Sequence, residues 1–184
     1  MKNKFKCVIT ELDKDGNSIV VSEEFPIATW EIPDAPKGQH LLTRLWATNT
    51  IPPDPLAPFD RNEPLSLIQK PGCSQFLVEV IPPLKEIMNY MKSIDKPITD
   101  PKKYNTHRTD SVDYVMVLAG EVTLIVGDKE IKLTTGDCVV QRATVHSWQN
   151  HTDVPCVIGG VILSTTRPHV EMDEPFEPFK FPSQ

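Results

Sequence analysis

Residues 107–121, HRTDSVDYVMVLAGE, and residues 136–150, GDCVVQRATVHSWQN, decide the fold. In the first, His107, Thr109 and Asp113 precede an apolar run that Gly120 closes. In the second, Gly136 opens a run that leads to His146, Trp148 and Asn150. Fifteen residues separate Gly120 from Gly136, enough for one short hairpin. Alternate residues of a strand share a face. His107 therefore sides with Thr109, Asp113 with Val115 and Val117, and His146 with Trp148.

The flanking sequence has the same texture. Residues 112–118, 122–126, 130–133, 138–141 and 156–163 are β-branched runs, most of them separated by glycine turns. Upstream, residues 5–11 and 18–22 flank Lys14-Asp15-Gly16-Asn17, a hairpin signal. Residues 25–32, 41–48 and 76–81 are further expected strands. One short helix is expected over 84–93, where Leu84, Ile87, Met88 and Met91 recur at helical spacing. It reads as a lid or a surface packing element. Prolines cluster at 52–58, 82–83, 97–101 and from 168 onward, which marks loops. Many short strands without βα alternation predict an all-β sandwich or barrel.

Composition narrows the functional classes. The 184 residues suffice for one domain. Net charge is -6 and the only basic cluster is the pair Lys102 and Lys103, so nucleic acid is not an expected partner. No run approaches the roughly 18 apolar residues that span a bilayer, and the N-terminus lacks a signal-peptide apolar stretch. No membrane association and a cytoplasmic location are the expectations. Four cysteines show no CxxC spacing, and Cys138 and Cys156 read as buried small hydrophobes inside apolar runs.

The two quoted segments resemble the paired motifs of the cupin superfamily. The usual first motif is HxH, three or four residues, E, six residues, G. Here His107 is present, Thr109 stands at the second histidine, Asp113 at the glutamate, and Gly120 follows after six residues. The usual second motif is G, five residues, PxG, two residues, H, three residues, N. Gly136, His146 and Asn150 match it, while Arg142-Ala143-Thr144 replaces the PxG corner and the histidine comes one residue early. Together the segments resemble a subgroup of small single-domain cupins from bacteria and fungi, some of whose fungal members lie in secondary-metabolite pathways. The resemblance implies a double-stranded β-helix, or jelly-roll, barrel with extra N-terminal strands and one short helix. Residues 1–80 would form an extension packed on the barrel, 81–165 the barrel core, and 166–184 a tail.

Alternation then predicts that His107, Asp113 and His146 converge inside the barrel. Two imidazoles and one carboxylate suit a divalent metal ion such as Fe, Zn, Mn or Ni. Thr109 in place of the second histidine leaves a metal-free site open as well, with Thr109 binding substrate or ordering a water. Asp113 is then an acid or base of raised pKa, or it merely hydrogen-bonds a neighbour. Gln141 is favoured over Arg142 as a pocket residue, and Trp148 as a pocket wall. Arg108 and Asp110 should face outward, and Tyr114 should serve core or interface packing. His40, His151 and His169 read as ordinary loop or strand residues.

The functional expectation is a small-molecule enzyme acting on an organic acid or carbonyl-type metabolite, as an oxygenase, decarboxylase, dehydratase or isomerase. A metal-free acid–base enzyme and a non-catalytic ligand-binding barrel are the alternatives. A homodimer is also implied by the resemblance, with residues 1–32 offering strands for exchange.

Overall fold

The computed structural model describes residues 5–23, 29–57, 65 and 70–165. Part of the strand expected over 25–32, His169, and the tail at 166–184 lie outside the described residues. The elements are β1 (Ile9–Leu12), β2 (Ser18–Ser22), β3 (Thr29–Glu31), β4 (Leu41–Thr48), β5 (Ser74–Ile81) and α1 (Leu84–Ser93). There follow a 3-10 turn (Pro101–Lys103), β6 (Ser111–Ala119), β7 (Glu121–Val126), β8 (Lys129–Thr134), β9 (Cys138–Arg142), β10 (Ser147–Gln149) and β11 (Cys156–Ser164). The helix has the bounds its spacing predicts. The three-residue strand β10 is too short to announce itself by alternation.

A six-stranded sheet runs β3-β4-β5-β11-β6-β9 and a three-stranded sheet runs β10-β7-β8. All the pairings within them are antiparallel. The two sheets form an all-β jelly roll, and β3, β4 and β5 bring the N-terminal half of the chain into it. The hairpin β1–β2 forms a separate two-stranded sheet.

Alternation decides what lies between the sheets. Val117, Val122, Leu124, Leu133, Trp148, Cys156, Ile158 and Ile81 make one buried cluster. Leu42 and Leu77 continue it into a second cluster with Ile32. Opposite parity sends Val78, Val80 and Val157 to the outer face of the large sheet, where Phe5, Leu41 and Leu45 pack on them. Cys138 follows that outward parity with Val140 and is exposed. The expectation that Cys138 is buried is thus corrected: in a strand covered on one side, half of an apolar run must face away from the core. Cys156 is fully buried, and burial pushes its thiol up to about 12.

Helix α1 is a packing element. Leu84 and Ile87 bury against Ala35 and Tyr104, with Met88, Met91 and Ile98 around them. Two glycines have positional reasons. Gly120 holds φ +81, and a Cβ there would press on the Pro155 carbonyl and Cys156. Gly160 sits in β11 between Leu77 and Val115, and a Cβ there would clash with the backbone of Tyr114 and Val115. Neither backbone atom can swing aside as a side chain would. Gly160→Ala is therefore expected to lower stability by about 1–3 kcal/mol, the usual cost of overpacking. A denaturant midpoint unchanged from wild type would count against this close approach.

Candidate functional site

His107 and His146 meet first through their backbones. Each N–H donates to the other's carbonyl at 2.9 Å, an antiparallel bridge outside the named strands. The rings lie with centroids 4.4 Å apart and planes tilted by 55°. Trp148, two residues on, presents its ring edge-on to His146 at 6.1 Å from within the core. Trp148 thus shares the inward parity of His146 and packs in the core.

Each histidine is anchored by the same local device. His107 Nδ1 lies 2.8 Å from the Asn105 carbonyl, and His146 Nδ1 lies 2.9 Å from the Thr144 carbonyl. A carbonyl oxygen can only accept, so both Nδ1 atoms donate. In the neutral ring the lone pair is then on Nε2. For His146, burial, followed by the charge of His107, pushes the pKa down to about 4. At neutral pH His146 is an uncharged imidazole with an available Nε2. The corner leading to it is unusual: Ala143 adopts φ +49, the left-handed region that alanine rarely visits. This is the place where the resemblance puts PxG.

Asp113 points inward on β6 and is buried. Thr109 Oγ1 donates toward it at 3.5 Å, and Ser111 Oγ donates to Thr109 at 2.7 Å. Its Oδ1 has no hydrogen-bond partner among the described residues. Burial raises its pKa, opposed by the Ser111 hydrogen bond, the charge of His107 and Thr109. Gln141 faces inward opposite Asp113, but its amide is committed to Thr144, while Arg142 is exposed. Arg108 pairs with Asp110 at 2.8 Å, its side chain 14% exposed.

The metal expectation meets a geometric test here. Two imidazoles come together, but no group of three or more His, Cys, Asp or Glu among the described residues is disposed to hold a metal ion. Asp113 turns to Thr109 and Ser111 and does not complete a set with the histidines. Two protein donors fall short of the three usual at a catalytic metal. As placed, the residues do not fit Fe, Zn, Mn or Ni.

A second buried cluster went unread in the sequence. His40 is 2% exposed. Its Nδ1 lies 2.7 Å from Asp34 Oδ1 and its Nε2 3.1 Å from Glu79 Oε1. Tyr104 donates its hydroxyl to the other oxygen of Asp34. Burial alone would lower the pKa of His40, but the hydrogen bonds and charges of Asp34 and Glu79 outweigh it and raise it to about 9. His40 is therefore an imidazolium clamped by two carboxylates. Glu79 shares the inward parity of Leu77 and Ile81, and its charge also reaches His146. The one signal for it was a charge in the middle of the apolar strand FLVEVI; its link to His40 spans 39 residues and has no sequence signature.

A cleft of about 490 Å³ is lined by Lys102, Thr106, Ile125, Glu130, His146 and Ser147, and neither Asp113 nor His107 is among its lining residues. Among the described residues no helix is long and apolar enough to cross a membrane.

A family profile described as the cupin domain matches residues 98–164. Phomopsin biosynthesis cluster proteins C' and D of Diaporthe leptostromiformis are each 47% identical over 47 residues. That stretch spans 25% of this chain and 25% of either relative. A Klebsiella pneumoniae protein with a double-stranded β-helix domain is similar at a TM-score of 0.42 and 15% identity, covering 69% of this chain and 78% of that one.

Proposed function

Residues 98–164 match a cupin-domain profile, and we propose that the chain is a small-molecule enzyme whose barrel interior performs acid–base chemistry on a carbonyl-type or organic-acid metabolite. The observation that carries this reading is the Nδ1 anchoring of His107 and His146, which leaves Nε2 of the neutral His146 free to take a proton. Asp113, biased toward its protonated form by burial, supplies the complementary acid. A base and an acid of separated pKa values are what enolisation at a carbonyl requires. His146 removes a proton beside the carbonyl while Asp113 protonates its oxygen. Isomerisation, dehydration and decarboxylation can all pass through such an enol. Thr109 and Ser111 hold the Asp113 carboxyl in place.

The test is exchange of α-protons for deuterium, followed by NMR on a panel of 2-keto acids, 2-hydroxy acids and hydroxy ketones. Exchange on at least one of them should persist in EDTA and disappear in His146→Gln. Metal content of the fresh protein is measured alongside. Exchange that appears only on adding Fe, Mn, Ni or Zn would replace this reading with the metal-dependent one. A panel member that binds tightly without any exchange would favour a ligand-binding barrel.

A further inference from the structure

The cluster around His40 holds a carboxylate that the acid–base chemistry above does not use. Glu79 stands in the middle of β5, where its parity with Leu77 and Ile81 turns it into the barrel. Across the sheet it is flanked by Leu42 of β4 and Ile158 of β11, and Ile158 is in turn beside Val117 of β6. Ile158 and Val117 belong to the buried cluster that contains Trp148, whose ring meets His146. The carboxylate therefore opens on the same interior as His146. Its charge is felt there, because it acts to raise the pKa of both His146 and Cys156.

The members of the cluster are not equally closed. The side chains of His40 and Asp34 are 1% and 7% exposed, whereas that of Glu79 is 18% exposed. Tyr104 is buried as well. His40 holds only one oxygen of Glu79, Oε1. Among the described residues no hydrogen bond reaches Oε2. A carboxylate paired with an imidazolium can only accept hydrogen bonds, so Oε2 calls for a donor. A charged group among apolar side chains is costly unless its hydrogen bonds are made. The imidazolium of His40 already balances the charge, so a neutral donor matches Oε2 better than a second cation. A hydroxyl is such a donor.

We infer that Glu79 determines specificity in this same interior: its Oε2 accepts a hydrogen bond from a hydroxyl of the substrate, which is therefore a hydroxylated ketone or keto acid. The inference rests on the acid–base reading of the site for where the carbonyl lies. With Asp113 at the carbonyl oxygen and His146 at the neighbouring carbon, Glu79 engages a hydroxyl farther along the carbon chain. His40, backed by Asp34 and Tyr104, fixes the direction of that carboxylate. A substrate without the hydroxyl covers Oε2 with an apolar group and leaves it unpartnered, which is the basis of the discrimination.

The experiment compares two matched pairs on the full chain in EDTA: 2-oxobutanoate with 4-hydroxy-2-oxobutanoate, and butanone with 4-hydroxybutanone. Titration calorimetry reads binding and NMR reads α-proton exchange. The wild type should bind the hydroxylated member of at least one pair roughly 10- to 100-fold more tightly, the range for a hydrogen bond to a charged group. In Glu79→Gln, with circular dichroism to verify the fold, that ratio should fall about tenfold, because only a neutral hydrogen bond is left. Glu79→Asp keeps a carboxylate opposite His40 and serves if the amide does not fold. It sets the oxygen one methylene back, and the ratio should fall again. Equal binding within both pairs overturns the inference, as does no binding of any member. A ratio unchanged in a folded variant also overturns it, because a purely structural Glu79 would weaken both members alike. Exchange separates this inference from the reading it rests on. A hydroxyl preference that falls with Glu79, without exchange in any member, upholds the inference and overturns the acid–base chemistry. Exchange without any hydroxyl preference does the reverse.

Discussion

Replacing His40 with alanine is expected to lower stability by about 3–5 kcal/mol, the usual cost of removing one member of a buried ion pair. Asp34 is buried and Glu79 largely so, and both lose the donor between them. Only Tyr104 still donates to Asp34. The loss should also loosen the segment carrying Ile32 and Ala35, since the His40 ring ties Asp34 of that segment to Glu79 of β5. Urea denaturation read by tryptophan fluorescence measures this directly. A change near zero would mean that the cluster is solvated and contributes little.

The same cluster gives stability a pH signature. The folded pKa of His40, about 9, lies above its ordinary 6.5. Its contribution is therefore fully present below 6.5 and is lost as pH rises from there through 9. His146 works in the opposite sense. Its folded pKa of about 4 lies below 6.5, so its contribution is present above 6.5 and lost as pH falls toward 4. The denaturation midpoint should peak near pH 6.5 and decline on both sides. His40→Ala should flatten the alkaline decline and leave the acid one in place. An alkaline limb that survives the substitution would assign it to another group.

Replacing His146 with glutamine should reduce turnover by roughly 10²- to 10⁴-fold, the range for loss of a positioned general base. Glutamine keeps the backbone bridge to His107, so the fold should persist. The wild-type rate should hold as pH falls below 6.5 and drop only near pH 4, where the imidazole acquires its proton. An acid limb centred at 6.5 would mean that the catalytic imidazole is solvated, and would remove His146 from the role of base. Asp113→Asn keeps the shape of the acid but cannot supply its proton. It should slow protonation of the carbonyl oxygen while leaving substrate binding nearly unchanged.

Much of the barrel was legible in residue order. Glycine turns at 120 and 136 punctuate the strands, and α1 announces itself by the spacing of Leu84, Ile87, Met88 and Met91. The pairing of His107 with His146 was legible too, because alternation and motif order place both on inward faces. Gln141 and Arg142 divided as parity predicts. Cys138 shows where an apolar run misleads: hydrophobicity says that a strand has a buried face, and parity decides which residues are on it.

The sequence by itself determined the strand parity, the antiparallel barrel and the inward placement of His107, Asp113 and His146. These depend on backbone periodicity and on contacts short enough along the chain to leave a pattern. Only the tertiary structure decided what those residues meet. It turned Asp113 toward Thr109 and Ser111 instead of into a three-donor set with the histidines. It set His40 between Asp34 and Glu79, and it left both faces of the β1–β2 hairpin bare. The physical reason is the same in each case: a side chain's direction along a strand is set locally, whereas its hydrogen-bond partner is whatever distant segment the closed barrel brings within 3 Å.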